Sequence, residues 1–206
     1  MYTSEFISLY FYHVKVCGLG AWLFPSFNAE RRYIISILTY PSCLLYQRWH
    51  IGSRRCVERF HNEDGTITSS LAISSNFLAV GAESGVVNLY NDRQSYSSMT
   101  SRSSIALTAT MTERTPLKSI MNLTTSADNV CFNHDGQILA MSTRRETNGL
   151  KLLHVPTATV FSNWPTSKTP LKYVWSMDFS PGSKYFTVGN DHGKCLLYRL
   201  KHYWDE

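Results

Sequence analysis

The stretch KYFTVGNDHGKCLLY, residues 184–198, decides the fold of this chain. Two short runs of apolar and aromatic residues flank a segment that carries Asn, Asp, His and Gly. Short apolar runs on either side of a glycine-bearing polar turn are typical of a β-hairpin. We therefore predict a strand, a tight turn and a second strand here.

The same pattern occurs twice more, as NFLAVGAESGVVNLY (residues 76–90) and as QILAMSTRRETNGLKLLH (residues 137–154). One more strand pattern precedes each copy, and a further one follows the first two copies. These additional strands are predicted at residues 70–73, 130–132, 175–179, 119–123 and 159–161. Four antiparallel strands in each repeated unit predict the blade of a β-propeller. The last two copies lie 47 positions apart, from Ser142 to Gly189, which is close to the roughly 40–45 residues of a WD40 repeat.

We predict an all-β chain in which residues 46–206 form part of a WD40-type β-propeller, with about three four-stranded antiparallel blades plus strands of another. Residues 91–116 are rich in Ser and Thr and lack strand alternation. They are predicted to be a flexible insertion between the third and fourth strands of a blade, with a phosphorylated switch loop as the alternative. Residues 1–45 do not fit the repeat, so they are either atypical strands or a non-native leader.

The composition favours a globular protein, because 43% of the 206 residues are hydrophobic and 17% are charged. The net charge of +5 permits contact with nucleic acid or acidic partners without requiring it. Five cysteines without a C-x-x-C pair indicate reduced, buried thiols and neither a disulfide framework nor a zinc site. No apolar run is long enough for a membrane helix, and the N-terminus lacks the basic region of a signal peptide.

Neither of the two segments that resemble a catalytic motif has the spacing that the motif requires. The segment from Gly189 to Lys194 differs from a phosphate-binding loop, since it has three residues between its glycines and Cys after the lysine. In the segment from Gly81 to Gly85 the serine, Ser84, stands one place too late for a nucleophile elbow. We therefore predict a protein that is not an enzyme and has no cofactor, no metal and no small-molecule substrate.

Several stretches resemble the family of WD-repeat U3 small nucleolar RNA-associated protein 18. They are Trp49 with SRRCVERF (residues 53–60), LAVG (78–81), SGVVNLYN (84–91), KSIMNLTT (118–125), TVFSNWP (159–165) and LYRLKHY (197–203). The GVVNLY and FSNWP runs are more specific than a generic blade signal, and the resemblance covers about residues 46–206. The chain departs from the usual blade ending, since no third strand ends in Trp-Asp.

The resemblance implies a scaffold in the nucleolus of the nucleus, within the small-subunit processome that processes the ribosomal RNA precursor around U3 RNA. It implies other processome proteins, and U3 RNA or precursor ribosomal RNA, as partners. Family members are longer and have seven blades, so we expect this chain to be the C-terminal part of such a propeller and only marginally stable alone.

The contact residues that we predict are Arg54, Arg55 and Arg59, because the arginine fork suits phosphate and carboxylate groups. Two other interpretations stay open. One is a generic WD40 protein-interaction module without an RNA role, and the other is an incomplete product without a stable function.

Overall fold

The computed structural model describes residues 26–28, 33–40, 43–50, 55–61, 67–92, 110–111, 114–166 and 168–203. Within these ranges the regular structure is β-strand, apart from one short 3₁₀ helix at Lys201–Tyr203. The strands are β1 (Ser26–Asn28), β2 (Tyr33–Tyr40), β3 (Cys43–His50), β4 (Arg55–His61), β5 (Thr68–Ile73), β6 (Phe77–Ala82), β7 (Val87–Asn91), β8 (Thr110–Met111), β9 (Lys118–Ile120), β10 (Asn129–Phe132), β11 (Ile138–Ser142), β12 (Leu150–His154), β13 (Thr159–Val160), β14 (Val174–Phe179), β15 (Tyr185–Asn190) and β16 (Cys195–Arg199).

These strands form four sheets. Sheet A has the order β1-β2-β3-β4-β8, sheet B the order β5-β6-β7-β9, sheet C the order β10-β11-β12-β13 and sheet D the order β14-β15-β16. All pairs are antiparallel except β4 with β8, which run parallel. The predicted all-β, partial propeller architecture is thereby confirmed, with sheets B, C and D at the three copies of the repeat. Among the described residues, sheet D has three strands where the other two repeats have four.

The core lies between neighbouring sheets. An apolar cluster that includes Leu89, Leu139 and Met141 joins sheets B and C. A second cluster, which includes Leu152 and Phe186, joins sheets C and D. Each strand turns alternate side chains to its two faces, so one sheet contributes to two clusters. This arrangement explains why the second strands β6 (FLAVGA) and β11 (ILAMS) read as nearly continuous apolar runs.

A third cluster joins sheet A to sheet B. Its buried members are Tyr46, Phe60, Leu78, Val80 and Tyr90. The rings of Tyr46 and Phe60 are stacked with their centroids 4.8 Å apart, and Phe60 also contacts the ring of Tyr90 at 6.1 Å. Sheet A therefore packs on sheet B through aromatic side chains of β3, β4 and β7.

Three leucines occupy the same position in the third strand of successive repeats. Leu89 is 1% exposed and Leu152 is 6% exposed, because the next sheet covers each of them. Leu197 of β16 is 63% exposed. In the described part of the chain, sheet D thus presents on its outer face a position that is core in the two sheets before it.

The first strands of sheets B and D share a local irregularity. The pairing register shifts between Thr68 and Ser70 in β5, and between Val174 and Ser176 in β14. Such shifts mark β-bulges. In each case the serine after the bulge lies against the backbone of the glycine that faces it, Gly81 for Ser70 and Gly189 for Ser176, where a Cβ atom would collide with the serine oxygen. The two repeats therefore share a serine–glycine contact.

Two predicted segments meet the structure only in part. The strands β1 and β2, and the first residues of β3, fall inside residues 1–45. They belong to sheet A, in which β1 pairs with β2, β2 with β3 and β3 with β4. Most of the predicted insertion at residues 91–116 lies outside the described residues. Its described residues include β8, which extends sheet A beside β4. The predicted boundary at residue 45 and the flexibility of the insertion stay predictions.

In the described ranges no helix has the length and apolar character that a membrane span requires.

Candidate functional site

Two of the three predicted contact arginines lie on β4. Arg55 is exposed and Arg59 is half-buried, while Arg54 lies outside the described residues. The Cα atom of Arg55 faces that of His50 on β3, and Arg59 faces Gln47 on β3 and Met111 on β8. The backbone of β4 is thus paired on both sides near Arg59. A partner at this strand would contact side chains and not a free strand edge.

The neighbouring positions on β4 point inward. Glu58 and Phe60 are buried, with Glu58 4% exposed. Because side chains alternate along a strand, Arg59 stands on the opposite face from both. At Arg59, β4 therefore has an outer face and, behind it, a buried face that holds a carboxylate. The pairing register shifts between Arg48 and Trp49, so this alternation does not extend to Arg55.

The buried carboxylate belongs to a cluster of four charged side chains, which we call the ion-pair cluster: Arg48 of β3, Glu58 of β4, Asp92 after β7 and Arg114 before β9. Arg114 donates to Glu58 through Nε–Oε1 at 2.9 Å and Nη2–Oε2 at 2.7 Å. Arg48 pairs with Asp92 and lies 3.5 Å from Glu58, measured from Nε to Oε2. All four side chains are at most 7% exposed.

The charges of the ion-pair cluster balance, with two guanidinium groups against two carboxylates. A buried charge is costly unless it is paired and hydrogen-bonded, and the two-pronged Arg114–Glu58 pair provides the geometry that offsets this cost. Burial lowers the pKa of Arg114, and the neighbouring Glu58 opposes that shift. The guanidinium carbon of Arg114 also lies 4.5 Å from the centre of the Phe60 ring.

This cluster joins parts of the chain that are far apart in sequence. Arg48 and Asp92 are 44 positions apart, and Glu58 and Arg114 are 56 positions apart. The cluster ties both ends of the predicted insertion to sheet A. Its chemistry is structural, since it holds a fixed geometry and in the described residues it is closed to solvent.

The ion-pair cluster was not predicted from the sequence. One pattern in the sequence points to it. Arg48 stands two positions after Tyr46, and Glu58 stands two positions before Phe60, so each charged residue shares an inward strand face with an aromatic residue. The partners Asp92 and Arg114 could not be inferred, since only the fold brings them to the same place.

The remaining candidate features are metal-ligating groups and the two glycine-bearing segments. No group of three or more His, Cys, Asp or Glu side chains is placed there to hold a metal ion. Both glycine-bearing segments weighed as catalytic motifs are turns between antiparallel strands, β6 to β7 and β15 to β16.

The cysteines correct one expectation. We expected buried thiols, but Cys195 is exposed, because it lies on the uncovered outer face of sheet D. Cys56 and Cys131 are half-buried. Cys131 packs against the cluster between sheets C and D. Burial, with a smaller effect of Asp178, raises the pKa of its thiol far above the usual range.

Comparison with known proteins bears on the predicted resemblance. No protein-family model matches the chain. Over 160 residues, however, it is 39% identical to the U3 small nucleolar RNA-associated protein 18 homolog of Mus musculus, a match that covers 76% of this chain and 27% of that protein. It is 38% identical over 157 residues to the homolog of Arabidopsis thaliana, covering 75% and 26% of the two chains.

The similarity extends to fungi. The chain is 38% identical over 163 residues to U3 small nucleolar RNA-associated protein 18 of Saccharomyces cerevisiae, which covers 76% of this chain and 25% of that protein. The chain thus spans about a quarter of the length of the curated relatives it matches. Relatives from a mammal, a plant and a yeast share one name, and the repeated sheets are those that the resemblance implied. Over the matched three quarters of its length, this chain belongs to the U3 small nucleolar RNA-associated protein 18 family.

Proposed function

We propose that this chain is a non-catalytic scaffold of the small-subunit processome, the early assembly around U3 small nucleolar RNA. In this role it serves pre-rRNA processing and small ribosomal subunit biogenesis in the nucleolus. The observation that carries the proposal is the 39% identity over 160 residues to a protein named for its association with U3 RNA.

The architecture supports a scaffold. Sheets B, C and D pack side by side through apolar clusters, and their connecting turns carry polar residues at both ends of the strands. Loops on a rigid frame suit a protein that holds several partners at once. The partners we propose are other processome proteins together with U3 RNA or precursor ribosomal RNA, and the net charge of +5 is compatible with such contacts.

For the contact itself we propose the arginines at and before β4, namely Arg54, Arg55 and Arg59. The support is that Arg55 is exposed, while Arg59 is half-buried and turned away from the buried Glu58. Guanidinium groups bind phosphate oxygens in a two-pronged geometry. The ion-pair cluster beneath β4 gives this strand a fixed position.

The proposal is tested by tagging the chain in its own cells, immunoprecipitating it and probing for U3 RNA and precursor ribosomal RNA. A spliceosomal small nuclear RNA serves as the control RNA. We expect enrichment of the first two over the control. A soluble chain that recovers partner proteins but no U3 RNA would overturn the proposal and favour a generic interaction module.

The β4 contact has its own test. Replacing Arg54, Arg55 and Arg59 together with glutamine should weaken retention of U3 RNA, and each lost phosphate contact should lower the salt slope of binding by about 1. The matched control replaces three exposed lysines with glutamine, at Lys168, Lys172 and Lys201. Equal retention in the two variants would remove β4 from the contact and leave the scaffold proposal intact.

A further inference from the structure

A groove with a mixed polar and apolar lining opens where the first strands of sheets B, C and D come together. It has a volume of about 400 Å³ and is lined by residues of β5, β10 and β14 and by Arg144 from the turn after β11. Its polar lining includes Ser69, Ser70, Asp128 and Asn129. We call it the Arg144 groove. Its volume lies within the roughly 300–1,000 Å³ of small-ligand sites.

An exposed tryptophan stands beside this groove. The guanidinium carbon of Arg144 lies 5.2 Å from the centre of the Trp175 ring, and Trp175 is 54% exposed. Trp175 also lines a second cavity of about 330 Å³ on sheet D. Trp175 therefore borders the cavity on sheet D and reaches the Arg144 groove through its contact with Arg144. Large aromatic side chains that are exposed next to an arginine are the usual platforms for nucleic-acid bases.

Hydrogen bonds hold this pair in place. The side-chain amide of Asn129 donates to the Trp175 carbonyl oxygen at 3.2 Å, and its oxygen accepts from Arg144 Nη2 at 3.3 Å. The backbone N–H of Arg144 donates to Asp128 Oδ2 at 2.7 Å. The backbone on both sides of the Arg144–Trp175 pair is thereby fixed, which reduces the ordering that a ligand must induce.

We propose that the Arg144 groove and Trp175 bind single-stranded RNA. One base stacks on the indole of Trp175, the edge of a base enters the groove, and Arg144 with the exposed Arg145 contacts the backbone phosphates. The hydroxyl and amide groups of Ser69 and Asn129 offer hydrogen bonds to a base edge. This inference rests on the proposed function, because it identifies where such a scaffold would touch RNA.

The charges of the groove favour a nucleobase over an acidic peptide. The carboxylate of Asp128 lines the groove and accepts from Ser126 Oγ at 2.9 Å as well as from Arg144. A peptide carboxylate entering the groove would meet this negative charge, which is repulsive. A base carries no charge, and its exocyclic amino groups are hydrogen-bond donors.

The test measures binding of the purified full chain to fluorescein-labelled single-stranded oligoribonucleotides, oligo(U) and oligo(A), by fluorescence anisotropy. Trp175→Ala should weaken binding roughly fivefold to 150-fold, the range expected for one lost base stack. Trp175→Phe should retain most of the affinity, and Arg144→Ala should weaken binding and lower its salt dependence. The exposed aromatic residue Phe161 and the exposed Lys168 provide the controls Phe161→Ala and Lys168→Ala.

Circular dichroism and thermal melting check that each variant is folded. Wild-type affinity in the Trp175→Ala variant would overturn the inference. The inference would also be overturned if the chain bound an Asp- and Glu-rich peptide in a manner that depends on Trp175 but did not bind RNA. Probing immunoprecipitates for U3 RNA then separates the two proposals. Wild-type and Trp175→Ala chains that recover U3 RNA equally contradict this site alone, and failure of the wild-type chain contradicts the proposed function.

Discussion

Arg114 and Glu58 are joined by two parallel hydrogen bonds, of 2.9 and 2.7 Å, although 56 positions separate them in the chain. Both side chains are buried, and the pair lies above the ring of Phe60. The strand that carries two of the proposed contact arginines, Arg55 and Arg59, is thus tied to the segment that leads into β9. Stability and placement of β4 depend on a contact that no local pattern encodes.

Replacing Arg114 with Met should destabilise the chain by roughly 3–5 kcal/mol, because it leaves excess negative charge in a buried site. The free energy of unfolding from urea titration measures the loss. Arg114→Lys keeps the charge but not the two-pronged geometry, so its loss should be smaller. Adding Glu58→Met to Arg114→Met should restore part of the stability. Equal stability of wild type and Arg114→Met would show that the cluster does not hold sheet A to sheet B.

Alanine substitutions at three glycines should distinguish the cost of backbone strain from the cost of a steric clash. Gly85 has φ of +85°, and a Cβ there would lie 2.6 Å from the carbonyl oxygens of Leu123 and Thr125. Gly193 has φ of +68° with no atom within 4 Å of a Cβ, and Gly182 has open space without a positive φ. Alanine should cost about 1–2 kcal/mol at Gly193, from the left-handed conformation alone, and more at Gly85.

Gly182→Ala is the matched control and should change the free energy of unfolding by no more than about 0.5 kcal/mol. Thermal and urea unfolding of the three variants gives the order. Any other ranking, in particular a neutral Gly85→Ala, would show that the turn between β6 and β7 can relax away from the carbonyl oxygens.

The three equivalent leucines should respond differently to truncation. Leu89→Ala and Leu152→Ala remove side chains that are buried between sheets, and each should cost roughly 2–5 kcal/mol. Leu197→Ala changes a side chain that is 63% exposed, so its effect should be about 0.5 kcal/mol or less. The measurement is again urea unfolding. A large loss at Leu197 would mean that something covers the outer face of sheet D in solution.

The thiols should differ in reactivity. The raised pKa of Cys131 keeps its thiol protonated, so iodoacetamide at about pH 8 should alkylate the exposed Cys195 much faster than Cys131. Peptide mapping by mass spectrometry reports both rates in one sample. The free energy of unfolding should depend on pH through the same pKa shift. The stabilisation from protonated Cys131 is complete below the ordinary thiol pKa of 9.0 and is lost as the pH rises above that value.

Cys131→Ala should therefore lose less stability than wild type when the pH is raised from about 8 to about 10. Similar alkylation rates at Cys131 and Cys195 would contradict the burial of the Cys131 thiol.

The repeat predicted sheets B, C and D closely because the pattern there is local. In the first copy, the predicted strand at residues 70–73 lies within β5, and the turn with Gly85 lies where its sequence required. The predicted strand at residues 119–123 overlaps β9 only at its start, because β9 ends at Ile120. Hairpins are set by neighbouring residues, since a glycine with positive φ and two flanking apolar runs are enough to fix the register.

Sheet A and the groove could not be predicted in this way. Glu58 of β4 pairs in parallel with Thr110 of β8, and no local sequence pattern links residues so far apart in the chain. Arg144 and Trp175 likewise come from different repeats and meet only because sheets C and D pack together. Charged and aromatic residues at such junctions carry no periodicity of their own, so the fold must be known before they can be associated.

The serine–glycine contact at the bulges of β5 and β14 has a consequence for how the repeats diverge. Ser70 fills the space that a side chain at position 81 would need, and Ser176 does the same for position 189. In sheet C, where Asn129 faces Ser142, the pairing has no register shift and the glycine position carries a side chain. The serine, the bulge and the glycine therefore depend on one another, so a change at one position requires a change at the other. Homologous sequences should show the serine and glycine gained or lost together, as a covarying pair.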